Sequence, residues 1–173
     1  MTTKMQYRIL CVCLGNICRS PTAEVVLREL ANKERMNILV DSAGTSNYHP
    51  NKAPDHRSQQ HALKRGYDLS SLRARQLKMD DFLNFDLILA MDHENLSDIQ
   101  NLLEKAKLKF GNNIKYASVA LMSEQDPQYH NQPVPDPYYG GEDGFEWVLN
   151  QCESNSQAWL AYLKPILQNK CVE

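Results

Sequence analysis

The chain reads as an α/β protein built on a mostly parallel sheet covered by helices on both faces. Three observations predict this. Four short apolar runs recur along the chain, and helical segments stand between them. Apolar residues make up 42% of 173 residues, enough for one domain with a substantial core. Strands that alternate with helices are joined by crossovers, and crossovers give parallel strands. Residues 1–173 are therefore taken as a single domain.

Tyr7 to Val12 is the first strand, apolar and partly β-branched, and it ends at a Cys-Leu-Gly-Asn turn. Ser20 stands as the N-cap of the first helix, with Pro21 as its first residue. Val25, Val26, Leu27 and Leu30 carry that helix to about Arg35. Ile38 to Val40 is the second strand, closed by the turn-like Asp41 to Ser46. Asn47 to Pro54 is a loop. Asp55 opens the next helix and Gly66 ends it. Asp80 and Asp81 open a short helical turn. Asp86 to Met91 is the third strand, Glu94 to Lys109 an amphipathic helix, and Ile114 to Leu121 the fourth strand. A proline-rich loop follows, with Pro127, Pro133, Pro135 and Pro137. The last helix is predicted from Asp143 to Leu167, with Pro165 as its weak point.

Bulk properties exclude several classes. The net charge is −2, which favours neither nucleic acid nor an anionic membrane. The apolar runs are too short to span a bilayer, and the N-terminus lacks a signal-peptide pattern, so a cytoplasmic setting is expected. Five cysteines are present, and three of them (Cys11, Cys13 and Cys18) crowd into eight positions. A secreted disulfide framework would spread them, so reduced thiols are expected. Those three cysteines find no further His or Cys cluster to complete a metal site, and neither metal nor cofactor is expected. His56, His61, His93 and His130 show no ligand spacing and are expected at the surface. Trp147 and Trp159 are expected in the core. Nothing in the sequence specifies an oligomeric state.

The chemistry concentrates between the first strand and first helix, in Cys13-Leu14-Gly15-Asn16-Ile17-Cys18-Arg19-Ser20. A loop wrapped here turns backbone N–H groups inward, and the helix N-terminus adds more donors and a positive dipole end. Such a nest holds a tetrahedral oxyanion such as inorganic phosphate. Gly15 and Asn16 tolerate unusual backbone angles. Arg19 supplies a planar cationic fork for phosphate oxygens. The same donors favour Cys13 as the thiolate nucleophile, and Ser20 can donate its hydroxyl to the sulfur. A thiolate that attacks phosphorus needs an acid to protonate the leaving oxygen. Asp136, between Pro135 and Pro137, is the candidate. Tyr138 and Tyr139 follow directly and could wall an aromatic leaving group.

Val12 to Pro21 with Ala23-Glu24 resembles the active-site signature of low-molecular-weight protein tyrosine phosphatases, and Asp136-Pro137-Tyr138-Tyr139-Gly140 resembles their general-acid motif. Asp41 to Ser46, Arg73 to Gln76 and Met91-Asp92 match in order. The resemblance spans nearly the whole chain. It implies a three-layer Rossmann-like sandwich with a four-stranded parallel sheet. It implies hydrolysis of phosphotyrosine in protein substrates, and of small aryl phosphates, through a cysteinyl-phosphate, without metal or cofactor. Cys13 is then nucleophile, Arg19 the phosphate holder and Asp136 the acid and later base. Leu14, Gly15, Asn16, Ile17, Cys18 and Ser20 form the phosphate loop, supported by Ser42, with Tyr48, Tyr138 and Tyr139 as cleft walls. Cys18 resembles the family's second cysteine, a redox partner for Cys13. Mammalian members carry a histidine where Leu72 stands. Two rivals share the fold: an arsenate reductase, whose cysteine relay is missing between Cys18 and Cys152, and a protein-arginine phosphatase, which carries threonine where Ile17 stands.

Overall fold

The computed structural model describes residues 5–137 and 141–170. Four strands form one parallel sheet: β1 (Tyr7–Cys13), β2 (Ile38–Gly44), β3 (Leu87–Ala90) and β4 (Ser118–Leu121). Their spatial order is β2-β1-β3-β4. Five helices join them: α1 (Arg19–Lys33), α2 (His56–Lys64), α3 (Asp81–Asn84), α4 (His93–Phe110) and α5 (Asp143–Asn169).

Strand alternation divides β1 between two cores. Ile9, Cys11 and Cys13 face a cluster with Val26 and Leu27 of α1, Ala62 of α2, and Leu149, Trp159 and Leu160 of α5. Leu10 and Val12 face the other side, against Phe82 of α3 and Ile99 and Ala106 of α4. The result is three layers with the sheet in the middle, as the sequence predicts.

The order also fixes where a ligand binds. The chain leaves β1 toward β2 on one side, then crosses to β3 and β4 on the other. The switch point therefore lies between β1 and β3, beyond their carboxyl ends. Cys13 ends β1 and Asp92 follows β3 at that crevice.

Several boundaries differ from the sequence reading. Helix α1 begins at Arg19 with Cys18 at the N-cap, so Ser20 sits inside the first turn and its hydroxyl is released for the loop. Strand β2 continues to Gly44, where it pairs with Cys13, because β1 offers a partner for the whole run. Strand β4 starts only at Ser118, where pairing with Leu87 begins, so Ile114 to Ala117 are not strand. Helix α5 runs through Pro165 to Asn169. Asp55 caps α2 by accepting the Arg57 and Ser58 N–H groups, and Gly66 follows α2 at φ 88°, both as expected.

Candidate active site

The loop between β1 and α1 is held by its outward carbonyls. Those of Cys13 and Leu14 accept the Thr45 and Ser46 N–H groups at 2.9 Å, and that of Ile17 accepts the Asp55 N–H at 2.7 Å. Gly44 lies directly beneath: a Cβ there would stand 2.7 Å from the Leu14 carbonyl oxygen. With these carbonyls bound outside, the Asn16 N–H turns in. Asn16 takes the left-handed conformation expected of it (φ 58°), and its N–H donates to Cys13 Sγ at 3.2 Å.

A buried chain of hydrogen bonds then leads to the sulfur, and its polarity can be followed. Glu24 is 2% exposed, and burial raises its pKa against the opposing bonds from Ser42 and Arg28. Beside the Arg28 guanidinium its carboxylate only accepts, so the Ser42 hydroxyl donates to it at 2.6 Å. Ser42 Oγ can then accept from Asn16 Nδ2 at 3.0 Å, and the same amide donates to Ser20 Oγ at 2.8 Å. Asn16 Oδ1 accepts the Arg75 N–H at 3.1 Å. The Ser20 proton is left for Cys13 Sγ at 3.1 Å or for the Ala43 carbonyl at 3.3 Å.

Arg19 is buried at the switch point. Its Nη1 donates to Asp92 Oδ2 at 2.6 Å and to the Val134 carbonyl at 3.1 Å, and its Nη2 reaches Asp136 Oδ2 at 3.5 Å. Burial works against its charge, but Cys13, Asp92 and Asp136 outweigh burial and raise its pKa. The acid-bearing segment is pinned on two sides. Val134 donates its N–H to the Met91 carbonyl at 2.8 Å, and Gln151 of α5 donates to the Gln132 and Pro133 carbonyls. Prolines and tertiary bonds together place Asp136 at the mouth of the loop.

A cleft results, lined by Cys13, Leu14, Gly15, Ile17, Cys18, Arg19, Tyr48, His49 and Asp136. It holds a thiol at its floor, a guanidinium at its side and a carboxyl at its rim. Tyr48 stands at the edge, 72% exposed. Tyr138 and Tyr139, the other expected walls, lie outside the described residues, as does Cys171. Cys18 lines the same cleft. Burial pushes its pKa up to about 12 despite a hydrogen bond with Ser58, so it remains a thiol at neutral pH. Cys11 and Cys152 are buried too, and burial raises both. All four described cysteines are free. Among the described residues no group of three or more His, Cys, Asp or Glu could hold a metal ion.

Two expectations are corrected. His61 is buried, 7% exposed, because its Nδ1 meets Glu146 at 2.6 Å, its Nε2 meets Glu142 at 3.1 Å and its ring stacks on Phe145. Trp147 is 61% exposed, whereas Trp159 is buried as expected. The roles of Asp92 and Arg28 are not legible in the sequence. A signal existed for Asp92: a carboxylate directly after an apolar strand and before a helix. It caps α4 through Oδ1 while Oδ2 holds Arg19.

Residues 8–169 match the family described as low molecular weight phosphotyrosine protein phosphatase. The Mus musculus protein of that name is 42% identical over 154 residues, covering 88% of this chain and 92% of the mouse protein. The Streptomyces coelicolor low molecular weight protein-tyrosine-phosphatase is 36% identical over 170 residues, 96% of this chain and 99% of that protein. The Entamoeba histolytica protein tyrosine phosphatase, solved with Hepes in its active site, superposes with a TM-score of 0.81 at 34% identity, covering 92% and 98% of the two chains. A Drosophila arginine phosphatase superposes with a TM-score of 0.82 at 28% identity over the same shares.

Proposed function

From the premise that the chain belongs to the low-molecular-weight phosphotyrosine protein phosphatase family, we propose that Cys13, Arg19 and Asp136 hydrolyse phosphotyrosine in protein substrates. The observation that carries this reading is the surroundings of Cys13 Sγ. It receives the Asn16 N–H, lies 3.1 Å from the Ser20 hydroxyl and shares its cleft with Arg19 and Asp136. Arg19 and the loop N–H groups bind the phosphoryl oxygens. The thiolate attacks phosphorus, the bond from phosphorus to the tyrosyl oxygen breaks, and Asp136 gives that oxygen its proton. Water then attacks the cysteinyl-phosphate, passing a proton to Asp136. The S–P bond breaks, and Ser20 and Asn16 receive the thiolate.

Ile17 supports an aryl phosphate over phosphoarginine, since its branched apolar side chain lines the cleft and would crowd a phosphoarginine. Cys18 serves as redox partner of Cys13, Leu14 and Tyr48 border the substrate, and inorganic phosphate occupies the loop as product. One catalytic domain working in the cytoplasm is consistent with the free thiols. No described helix is long and apolar enough to cross a membrane.

Turnover of para-nitrophenyl phosphate in a chelator, beside phosphoarginine and arsenate, tests the reading. Cys13→Ser should be inert, and Asp136→Ala should slow aryl phosphate hydrolysis by about 10²–10⁴-fold. Full activity of Cys13→Ser would overturn it.

A further inference from the structure

Residues 74–77 lie outside the four strands, yet their main chain bonds to three parts of the site. The Arg75 N–H donates to Asn16 Oδ1 at 3.1 Å. The Arg75 carbonyl accepts the Gly44 N–H at 2.9 Å, and the Gly44 carbonyl accepts the Leu77 N–H at 2.7 Å, directly beneath the phosphate loop. Ala74 donates its N–H to the Lys52 carbonyl and accepts the Asn51 N–H, both at 2.8 Å. It thereby holds the loop whose Tyr48 and His49 line the cleft.

The Arg75 side chain anchors this main chain on two other elements. Nη1 donates to Asp81 Oδ2 at 3.0 Å and Nη2 to Asp81 Oδ1 at 3.2 Å, a planar fork on one carboxylate of α3. Nη2 also donates to Asp41 Oδ2 of β2 at 3.1 Å. Asp41 Oδ1 accepts the Ser42 N–H at 2.8 Å, and Ser42 Oγ belongs to the chain that leads to Cys13. Burial works against the charge of Arg75, but Asp81 and Asp41 outweigh it and raise its pKa. Asp81 is 2% exposed, and a buried carboxylate calls for a cation. That need explains the fork on Asp81. It explains neither the second carboxylate on β2 nor a main chain committed to Asn16, Gly44 and the wall loop.

We propose that Arg75 is a positioning residue for phosphoryl transfer: held between Asp41 and Asp81, it fixes the main chain that orients Asn16 and so sets the phosphate loop against the cleft wall. It rests on the reading of Cys13 to Ser20 as a catalytic phosphate loop. Arg75 acts through Asn16 and Gly44, and takes no part in the bond-making steps.

Two variants test it, Arg75→Gln and Asp41→Asn. Calorimetric titration with inorganic phosphate reads the loop, and kcat for para-nitrophenyl phosphate reads the reacting geometry, each below the unfolding temperature of the variant. Arg75→Gln should weaken phosphate binding and lower kcat by about tenfold each. Asp41→Asn leaves the fork on Asp81 in place, and both effects should be about two- to threefold. In an Asn16→Ala background both variants should lose most of their effect, because the bond they act through is gone. A folded Arg75→Gln with wild-type phosphate affinity and kcat would confine Arg75 to the fold and refute the proposal. Equal effects with and without the Asn16 side chain would refute it too. The Asp41 side chain is 44% exposed, so its variant keeps the fold. If Arg75→Gln does not fold, Asp41→Asn decides, and wild-type behaviour there refutes the proposal. Wild-type turnover of para-nitrophenyl phosphate tests the phosphatase reading by itself. If that fails, the phosphate titration still decides on Arg75.

Discussion

Every polar atom of the Asn16 side chain is engaged: Nδ2 donates to Ser20 and Ser42, and Oδ1 accepts from Arg75. Its backbone N–H faces the nucleophile, and its φ of 58° costs asparagine less than most residues. One residue thus joins the phosphate loop, the end of β2 and the segment before α3. Asn16→Ala removes three partners from buried or half-buried groups and adds strain at a left-handed position. We expect a loss of about 1–3 kcal/mol in unfolding free energy and a fall in kcat on the order of 10²-fold, because the loop loses its register with the acid. Thermal unfolding and aryl phosphate turnover measure the two effects separately. Stability lost with kcat intact would mean that the outward carbonyl bonds alone shape the loop.

At the scale of elements, α5 organises one side of the site. Gln151 holds the acid-bearing segment, Trp159 Nε1 donates to the Met122 carbonyl at 2.8 Å, and Asn155 donates to Asp126 Oδ2 at 2.7 Å. Asp126 also accepts the Gln128 N–H at 2.8 Å and so closes the turn after β4. Burial raises its pKa, but bonds from Ser154, Asn155 and the Gln128 and Tyr129 N–H groups outweigh burial, and the net direction is down. A carboxylate held lower in the folded state than in the unfolded chain stabilises the fold above the unfolded value, and that contribution is lost as pH falls through the folded value. Asp126→Asn should therefore cost about 1–3 kcal/mol at neutral pH. The difference from wild type should hold down to about pH 4 and shrink below it. Denaturant unfolding from pH 7 to pH 3 would show this; a difference independent of pH would mean that shape, not charge, is what Asp126 contributes.

For the molecule as a whole, the central position of β1 matters most. It pairs with β2 and β3 and faces a core on each side, so its amides open only when both cores do. The Leu10, Cys11 and Val12 amides should exchange hydrogen at the rate of global unfolding. Edge strand β4 has one neighbour, and its Ser118 and Val119 should exchange sooner. Native-state exchange followed by NMR checks the order, and β4 outlasting β1 would contradict it. Because Cys13 ends this central strand, the floor of the cleft is expected to be rigid.

Most of the fold was legible because periodicity is a local property. Apolar runs of strand length and amphipathic segments of helix length follow from neighbouring residues, and their alternation constrains topology. The end of β2 at Gly44 was not, since it depends on Cys13 lying opposite. Among site residues, Cys13, Asn16, Arg19 and Ser20 were legible for the same reason: eight consecutive residues between a strand and a helix define the nest. Asp136 was read from its prolines and from what the chemistry required. Asp92 lies 73 positions from Arg19, and the Glu24–Ser42 bond joins α1 to β2. His61 is buried by carboxylates 81 and 85 positions away. Sequence alone determined the fold class and the candidate nucleophile, cation and acid, the first two from one run of eight residues and the acid from its flanking prolines. Tertiary structure alone decided which distant carboxylates compensate the buried charges, because that depends on strand order and helix packing.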